Sequence, residues 1–168
     1  MNISFLAPRL IVGAVYKVLN QEMKLLWTKD LKLNTVHVQD VVRAIWTLTA
    51  SPEEKGKRTS PPKAGGEIYN LSDKTDTDQG IVNGFISKIF GIETGFQGTM
   101  ISQLAKLNLE SVTEDVNDTH LQPWSDLCKK EGLTNTPLTP YLDKELLKDN
   151  ALSVDGTKVK FFFLSFFS

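Results

Sequence analysis

A chain of 168 residues with 40% apolar and 23% charged residues is sized for one globular domain or a large piece of one. Its formal net charge of −1 supplies no field that would gather nucleic acid or an anionic membrane surface. The single cysteine, Cys128, excludes an internal disulfide and fits a reducing, cytoplasmic setting. Residues 1–5 lack the charged region and apolar run of a signal peptide, and no apolar stretch approaches the roughly 18 residues of a spanning helix.

Between Pro8 and Leu19, the residues Ile11, Val15, Val18 and Leu19 recur at helical spacing, with Leu10 and Ala14 beside them. Pro8 suits a first helical turn, and Gly13 is the residue that works against the helix. Residues 24–27 predict a short buried strand. Residues 31–38 predict another, with Leu31, Leu33, Thr35 and His37 on one face. Asp40 is placed to cap a following helix, because its carboxylate can accept from the first free backbone N–H groups. Val41, Ala44, Ile45 and Leu48 form that helix's apolar side, and it ends near Ala50. Residues 51–66 are rich in Pro, Gly, Lys and Glu and predict an exposed loop. Its Lys55, Lys57, Arg58 and Lys63 are read as solvated rather than as a phosphate site.

Residues 67–71 predict a strand. Thr75, Asp76, Thr77 and Asp78 offer caps for a helix whose apolar stripe is Ile81, Phe85, Ile86, Ile89 and Phe90, with Gly91 as its C-cap. Beyond Gly98, the residues Met100, Ile101, Leu104, Leu107 and Leu109 mark one helical segment, and Leu121, Trp124, Leu127 and Cys128 another. Residues 137–143 lead into a short last helix reaching about Lys148. Residues 161–168 are nearly all aromatic and apolar, too short to span a bilayer, and an aggregation hazard if exposed. They read as an appendage to the domain, with a membrane-surface anchor as the alternative.

Four segments carry a family pattern. Asn34-Thr35-Val36-His37-Val38-Gln39-Asp40-Val41-Val42-Arg43-Ala44-Ile45 resembles "HVxDV(A/V)xA". Gly66-Glu67-Ile68-Tyr69-Asn70-Leu71 resembles "GxxYN(I/L)". Phe90-Gly91-Ile92 resembles "FG(I/V)", and Asp155-Gly156-Thr157-Lys158 resembles "DGxK". Over about residues 8–160 the chain thus resembles the extended short-chain dehydrogenases, the family of NAD(P)-dependent epimerases and dehydratases. The resemblance implies an α/β fold: the carboxyl-terminal portion of a Rossmann-like doubly wound domain, with an incomplete sheet and a mainly helical substrate-side lobe. Residues 1–160 would be the carboxyl-terminal half of that domain, and residues 161–168 a tail outside it. It further implies a small-molecule substrate and NAD or NADP for the full-length protein, and a missing amino-terminal half as partner. It implies no nucleic acid and no membrane. Residues 24–37 and 92–100 would line the substrate side.

Hydride transfer in this family needs a glycine-rich turn after the first strand, where the pyrophosphate meets a helix amino terminus. It also needs a Tyr-x-x-x-Lys pair to relay the proton, and a Ser or Thr on the reacting oxygen. Four residues after Tyr16, Tyr69 and Tyr141 stand Asn20, Asp73 and Glu145, so no such pair is present. Thr94-Gly95-Phe96-Gln97-Gly98-Thr99-Met100-Ile101 imitates "TGxxGxxG" but ends in Ile101 and follows His37, the reverse of the family order. It also lacks a second strand with a terminal acid about 20 residues on, and it reads as a turn or short edge strand. Family members that take sugar nucleotides often carry an arginine four residues before the histidine. Leu33 stands there, with Lys32 adjacent, which weighs against a UDP- or GDP-sugar.

Other chemistry is thin. His37 reads as a hydrogen-bonded core residue on a buried strand, and Cys128 as a buried thiol. No partners for a metal site or nucleophilic triad are evident around His37 or His120. Asp115, Asp118, Ser125 and Asp126 read as surface groups, and Trp27, Trp46 and Trp124 as core aromatics. No residue is therefore assigned a catalytic, cofactor-binding or metal role, and no cofactor is expected on this chain alone. Two readings follow: a substrate-side half of an oxidoreductase, inactive alone, or a non-catalytic binding or regulatory module derived from that family. Unpaired strand edges at 33–38 and 67–71 disfavour the second.

Overall fold

The glycine that weakens the first helix on paper is what lets it pack. In the computed structural model, which describes residues 6–50 and 68–158, α1 spans Leu6–Leu19. A Cβ on Gly13 would stand 2.8 Å from the Phe90 ring and 2.9 Å from Ile86 Cγ2, so its absence admits both side chains. The buried side of α1 is Ile11, Val12 and Val15, while Leu10 and Val18 are exposed. The stripe is thus turned from the expected one, toward the place where Gly13 allows close approach. The basic loop, Gly66, Glu67 and the Phe-rich tail lie outside the described residues.

The chain is mixed α/β and divides into two units. The first comprises residues 1–31 and 78–150. After α1 comes strand β1, Met23–Leu25. It pairs in parallel with β2, Thr94–Phe96, in the register Met23 to Thr94, Lys24 to Gly95 and Leu25 to Phe96. The expected strand at 24–27 starts one residue earlier and stops at Leu25, because Trp27 takes φ 70° and turns the chain. Leu26 and Trp27 instead pack with Ala105, flanked by Leu31, Leu109 and Val112. Buried Gln79 holds the turn, its Nε2 donating to Leu26 O at 2.8 Å and Thr28 O at 3.0 Å.

The next helix of this unit, α3, spans Gln79–Phe90. Asp78 caps it by accepting from Ile81 N at 2.9 Å, and Gly91 ends it at φ 65°. Both features match the sequence reading. The buried face does not: Val82, Asn83 and Ile86 point inward, whereas Phe85 and Ile89 are exposed. α4, Thr99–Leu107, buries only Ala105, and the predicted stripe of Met100, Ile101, Leu104 and Leu107 faces outward.

Helix α5 runs unbroken over Leu109–Lys130, so the segment expected around Leu121–Cys128 is the end of a longer helix. Its middle has no apolar stripe to read, because the buried positions there are polar: Thr113, Asn117 and His120. Asn117 makes this workable. It donates to Leu142 O at 2.9 Å and accepts from Leu142 N at 2.7 Å, leaving both buried backbone groups of Leu142 satisfied. The expected last helix is a single 3-10 turn, Lys144–Leu147, capped by Asp143. Leu147 O accepts from Trp27 Nε1 at 2.6 Å.

The second unit comprises residues 32–77 and 151–168. Neither predicted strand forms here. Leu33 makes one parallel bridge to Leu152, and residues 68–71 belong to no strand, with Ile68 exposed. A run of single hydrogen bonds takes their place: Leu33 N to Thr77 O at 2.9 Å, Asn34 N to Leu152 O at 3.0 Å and Asp73 N to Thr35 O at 2.8 Å. Without a neighbouring strand on each side, an extended segment cannot build a ladder.

Helix α2 spans Val38–Ala50 and starts before its predicted cap. The His37 carbonyl accepts from Asp40 N and Val41 N, so Asp40 sits inside the first turn, where it pairs with Arg43 at 3.1 Å. Ala44 is buried, but Val38, Val42, Ile45 and Trp46 are exposed, Trp46 at 71%. The assignment of Trp46 to the core is therefore corrected.

Candidate functional site

The segments expected to line a substrate side are partly brought together. Within the first unit, Met23 N donates to Glu93 O at 3.0 Å and Gln97 N to Leu25 O at 2.8 Å, so residues 23–25 and 93–97 lie side by side. In parallel α/β sheets ligands favour the carboxyl ends of the strands. Here the ends of β1 and β2 lead to Trp27 and to α4, and the space is filled by the Leu26, Trp27 and Ala105 cluster, with Lys106 Nζ 5.8 Å from the Trp27 ring centroid. Residues 32–37, the rest of the expected lining, belong to the second unit.

The glycine-rich decoy resolves into β2, the turn Gln97-Gly98, and the start of α4. Glu22 Oε1 stands 2.5 Å from where a Cβ on Gly95 would be, and Gly95 O accepts from Asn83 Nδ2 at 3.1 Å. A carboxylate against the glycine opposes an incoming phosphate. Residues 94–96 form the short strand expected there, while residues 99–101 open α4.

The three tyrosines are far from redox geometry. Tyr16 lies half-buried with its ring 5.4 Å from that of His120, and burial pushes its hydroxyl pKa up. Tyr69 has Lys158 Nζ 4.2 Å from its ring centroid, a cation–π contact across the ring face. The same ammonium donates to Ile68 O at 3.2 Å. This Tyr–Lys contact joins two of the four family-like segments, and no i, i+4 pattern could have revealed it. Tyr141 is exposed and borders an open groove of about 250 Å³ in the first unit. Glu110, Glu114 and Asp118 stand one turn apart along it on α5, with Lys144 Nζ 3.8 Å from Glu110. The groove is acidic and open.

The remaining candidates fall as follows. His37 is exposed, contrary to expectation, and its Nδ1 accepts from Gln39 N at 3.2 Å. His120 is 2% exposed with neither ring nitrogen hydrogen-bonded, and burial lowers its pKa to about 4. Cys128 and Trp27 are buried, Trp124 is half-buried, Asp115, Asp118 and Asp126 are exposed, and Ser125 is partly covered. Arg9 is buried, which lowers its pKa to about 10.

In the second unit, Asp73 accepts from Thr35 Oγ1, from Thr77 Oγ1 at 3.2 Å and from Thr75 N at 2.9 Å. Burial pushes its carboxyl up, but hydrogen bonds from Thr35, Thr75 and Thr77 outweigh that and hold it below the usual range. Asp76, fully exposed, is likewise lowered by Lys32 and Asn34. Lys32, beside the position where an arginine would meet a diphosphate, is thus engaged with Asp76 at 2.8 Å.

Among the described residues no group of three or more His, Cys, Asp or Glu could hold a metal ion, and no helix is long and apolar enough to cross a membrane. No family model, curated protein or solved structure matches the chain.

Proposed function

We propose that this chain is the substrate-side, carboxyl-terminal part of an NAD(P)-dependent epimerase, dehydratase or reductase of the extended short-chain type, and that it turns over nothing by itself. The observation that carries the reading is the apolar face of α2. The helix that opens with the His37–Asp40 segment leaves Val38, Val42, Ile45 and Trp46 in water. A contiguous exposed face of this kind marks a contact surface. Beside it in the sequence, residues 34–37 and 68–71 belong to no strand and lack the neighbours a ladder requires. A Rossmann-like half supplying the cofactor, the relay tyrosine and the missing strands would account for all three.

The test has two parts. Translation upstream of Met1 should reveal, in frame, a glycine-rich βαβ unit followed by Tyr-x-x-x-Lys. Calorimetric titration of the isolated chain with NADH and with NADPH should give no binding heat. Saturable binding of either by these residues alone would sink the proposal. An upstream frame without those motifs would turn the assignment to a non-catalytic binding module.

A further inference from the structure

His120 lies on the side of α5 that meets α1, and it is a polar group sealed without a partner. Its Nδ1 and Nε2 are both buried and neither has a hydrogen-bond partner. The ring stands edge-on to Tyr16, with an interplanar angle of 70°. A neutral imidazole tolerates that setting at the cost of its lost hydrogen bonds. An imidazolium does not, because it carries two N–H donors and a charge into a buried site where neither donor finds a protein acceptor.

The charged and titratable neighbours give no relief. On α1 they are Tyr16, whose own ionisation burial opposes, Arg9, a cation engaged with its own partners, and exposed Lys17. One turn away on α5 lie Val116, Asn117, Pro123 and Trp124, none of them ionisable. The other elements against α5 carry Lys106, Lys144, Glu145 and Lys148. Lys106 pairs with Asp149, Lys144 with Glu110, and Lys148 with Glu145. Among the described residues no hydrogen bond or salt bridge reaches the ring nitrogens, and burial is the cause that lowers the pKa.

We propose that His120 is an acid-sensitive latch: the α1–α5 interface closes only around the neutral ring and opens when the ring takes up a proton from solvent. The sign follows from linkage. The folded pKa lies below the unfolded value of about 6.5, so stability is full above that value and is lost as pH falls toward the folded pKa of about 4. The latch works whether or not the chain is joined to a nucleotide-binding half.

Hydrogen exchange on the full chain, corrected for intrinsic rates, reads it directly. Between pH 6.5 and 4.5 the amides of α1 and α5 should lose about 40-fold in protection. In His120→Phe, or His120→Met if the first does not fold, the loss should be no more than a few-fold. In His37→Asn the remaining imidazole should stay neutral by NMR to below pH 5. Titration of that ring near 6.5, with the interface still protected, overturns the latch. So does equal acid sensitivity in a His120 variant. If neither variant folds, the ring titration decides alone.

Discussion

Where residues 6–31 and 78–150 close on Val15, Met23 and Ile86, residues 32–50, 68–77 and 151–158 close on hydroxyls and carboxylates. The first region has a helix, α3, capped at both ends, a parallel strand pair and buried aliphatic side chains. The second has one helix, one isolated bridge and a lattice in which Asp73 ties Thr35 to Thr77 while Asn34 holds Asp76 and Val154 N. Apolar burial scales with area and needs no direction. The polar lattice needs geometry at every link and stabilises by about 1 kcal/mol per bond. A region so built can hold an extended segment in place while leaving its edges ready for a neighbour.

The largest way to sharpen this contrast is Ile86→Ala. The side chain is 1% exposed beside Gly13, so its loss leaves a cavity and should cost about 2–5 kcal/mol in urea unfolding. A cost below about 1 kcal/mol would mean that the first region is not held by its core. Next comes Asp73→Ala, which strips three acceptor contacts from the second region and should cost about 1–3 kcal/mol. Hydrogen exchange should show that loss around residues 33–35 and 73–77 while α3 stays protected. If α3 opened equally, the two regions would be one cooperative body. Because the folded carboxyl of Asp73 is lowered, its contribution is present above the unfolded value of about 3.9 and disappears as pH falls through the folded one. The wild type and Asp73→Ala should therefore converge only at strongly acid pH.

Asp78→Ala removes the side-chain acceptor for Ile81 N and should cost about 1 kcal/mol, read as a lowered Tm. The smallest effect is expected from Trp46→Ser, within about 0.5 kcal/mol, because the indole is already in water. The same change should reduce self-association in sedimentation runs. A loss of 2 kcal/mol or more would show that Trp46 is a core residue after all.

Much of the local structure was legible in the chain. Asp78 and Gly91 bracket α3 through backbone chemistry that needs no partner, and Pro8 and the spacing of Ile11 and Val15 place α1. The faces were less legible. The stripe Ile81, Phe85, Ile86, Ile89 and Phe90 spans more than one side of a helix, and the gap at Gly13 selects Ile86 and Phe90 over Phe85. The middle of α5 could not be read from hydropathy at all, since Asn117 and His120 are buried by partners distant in sequence. The candidate site followed the same rule. The absence of a Tyr-x-x-x-Lys pair was plain from the sequence. The meeting of Tyr69 with Lys158 was not, because its two halves are far apart along the chain.

By itself, then, the sequence determined where most helices lie and the caps of α3, because these rest on propensities and hydrogen bonds within a few residues. The tertiary structure alone decided which faces are covered, that residues 34–37 and 68–71 belong to no strand, and that His120 is sealed while His37 is open. A strand and a buried face are each completed by something else in space, and the identity of that neighbour is written nowhere near them in the chain.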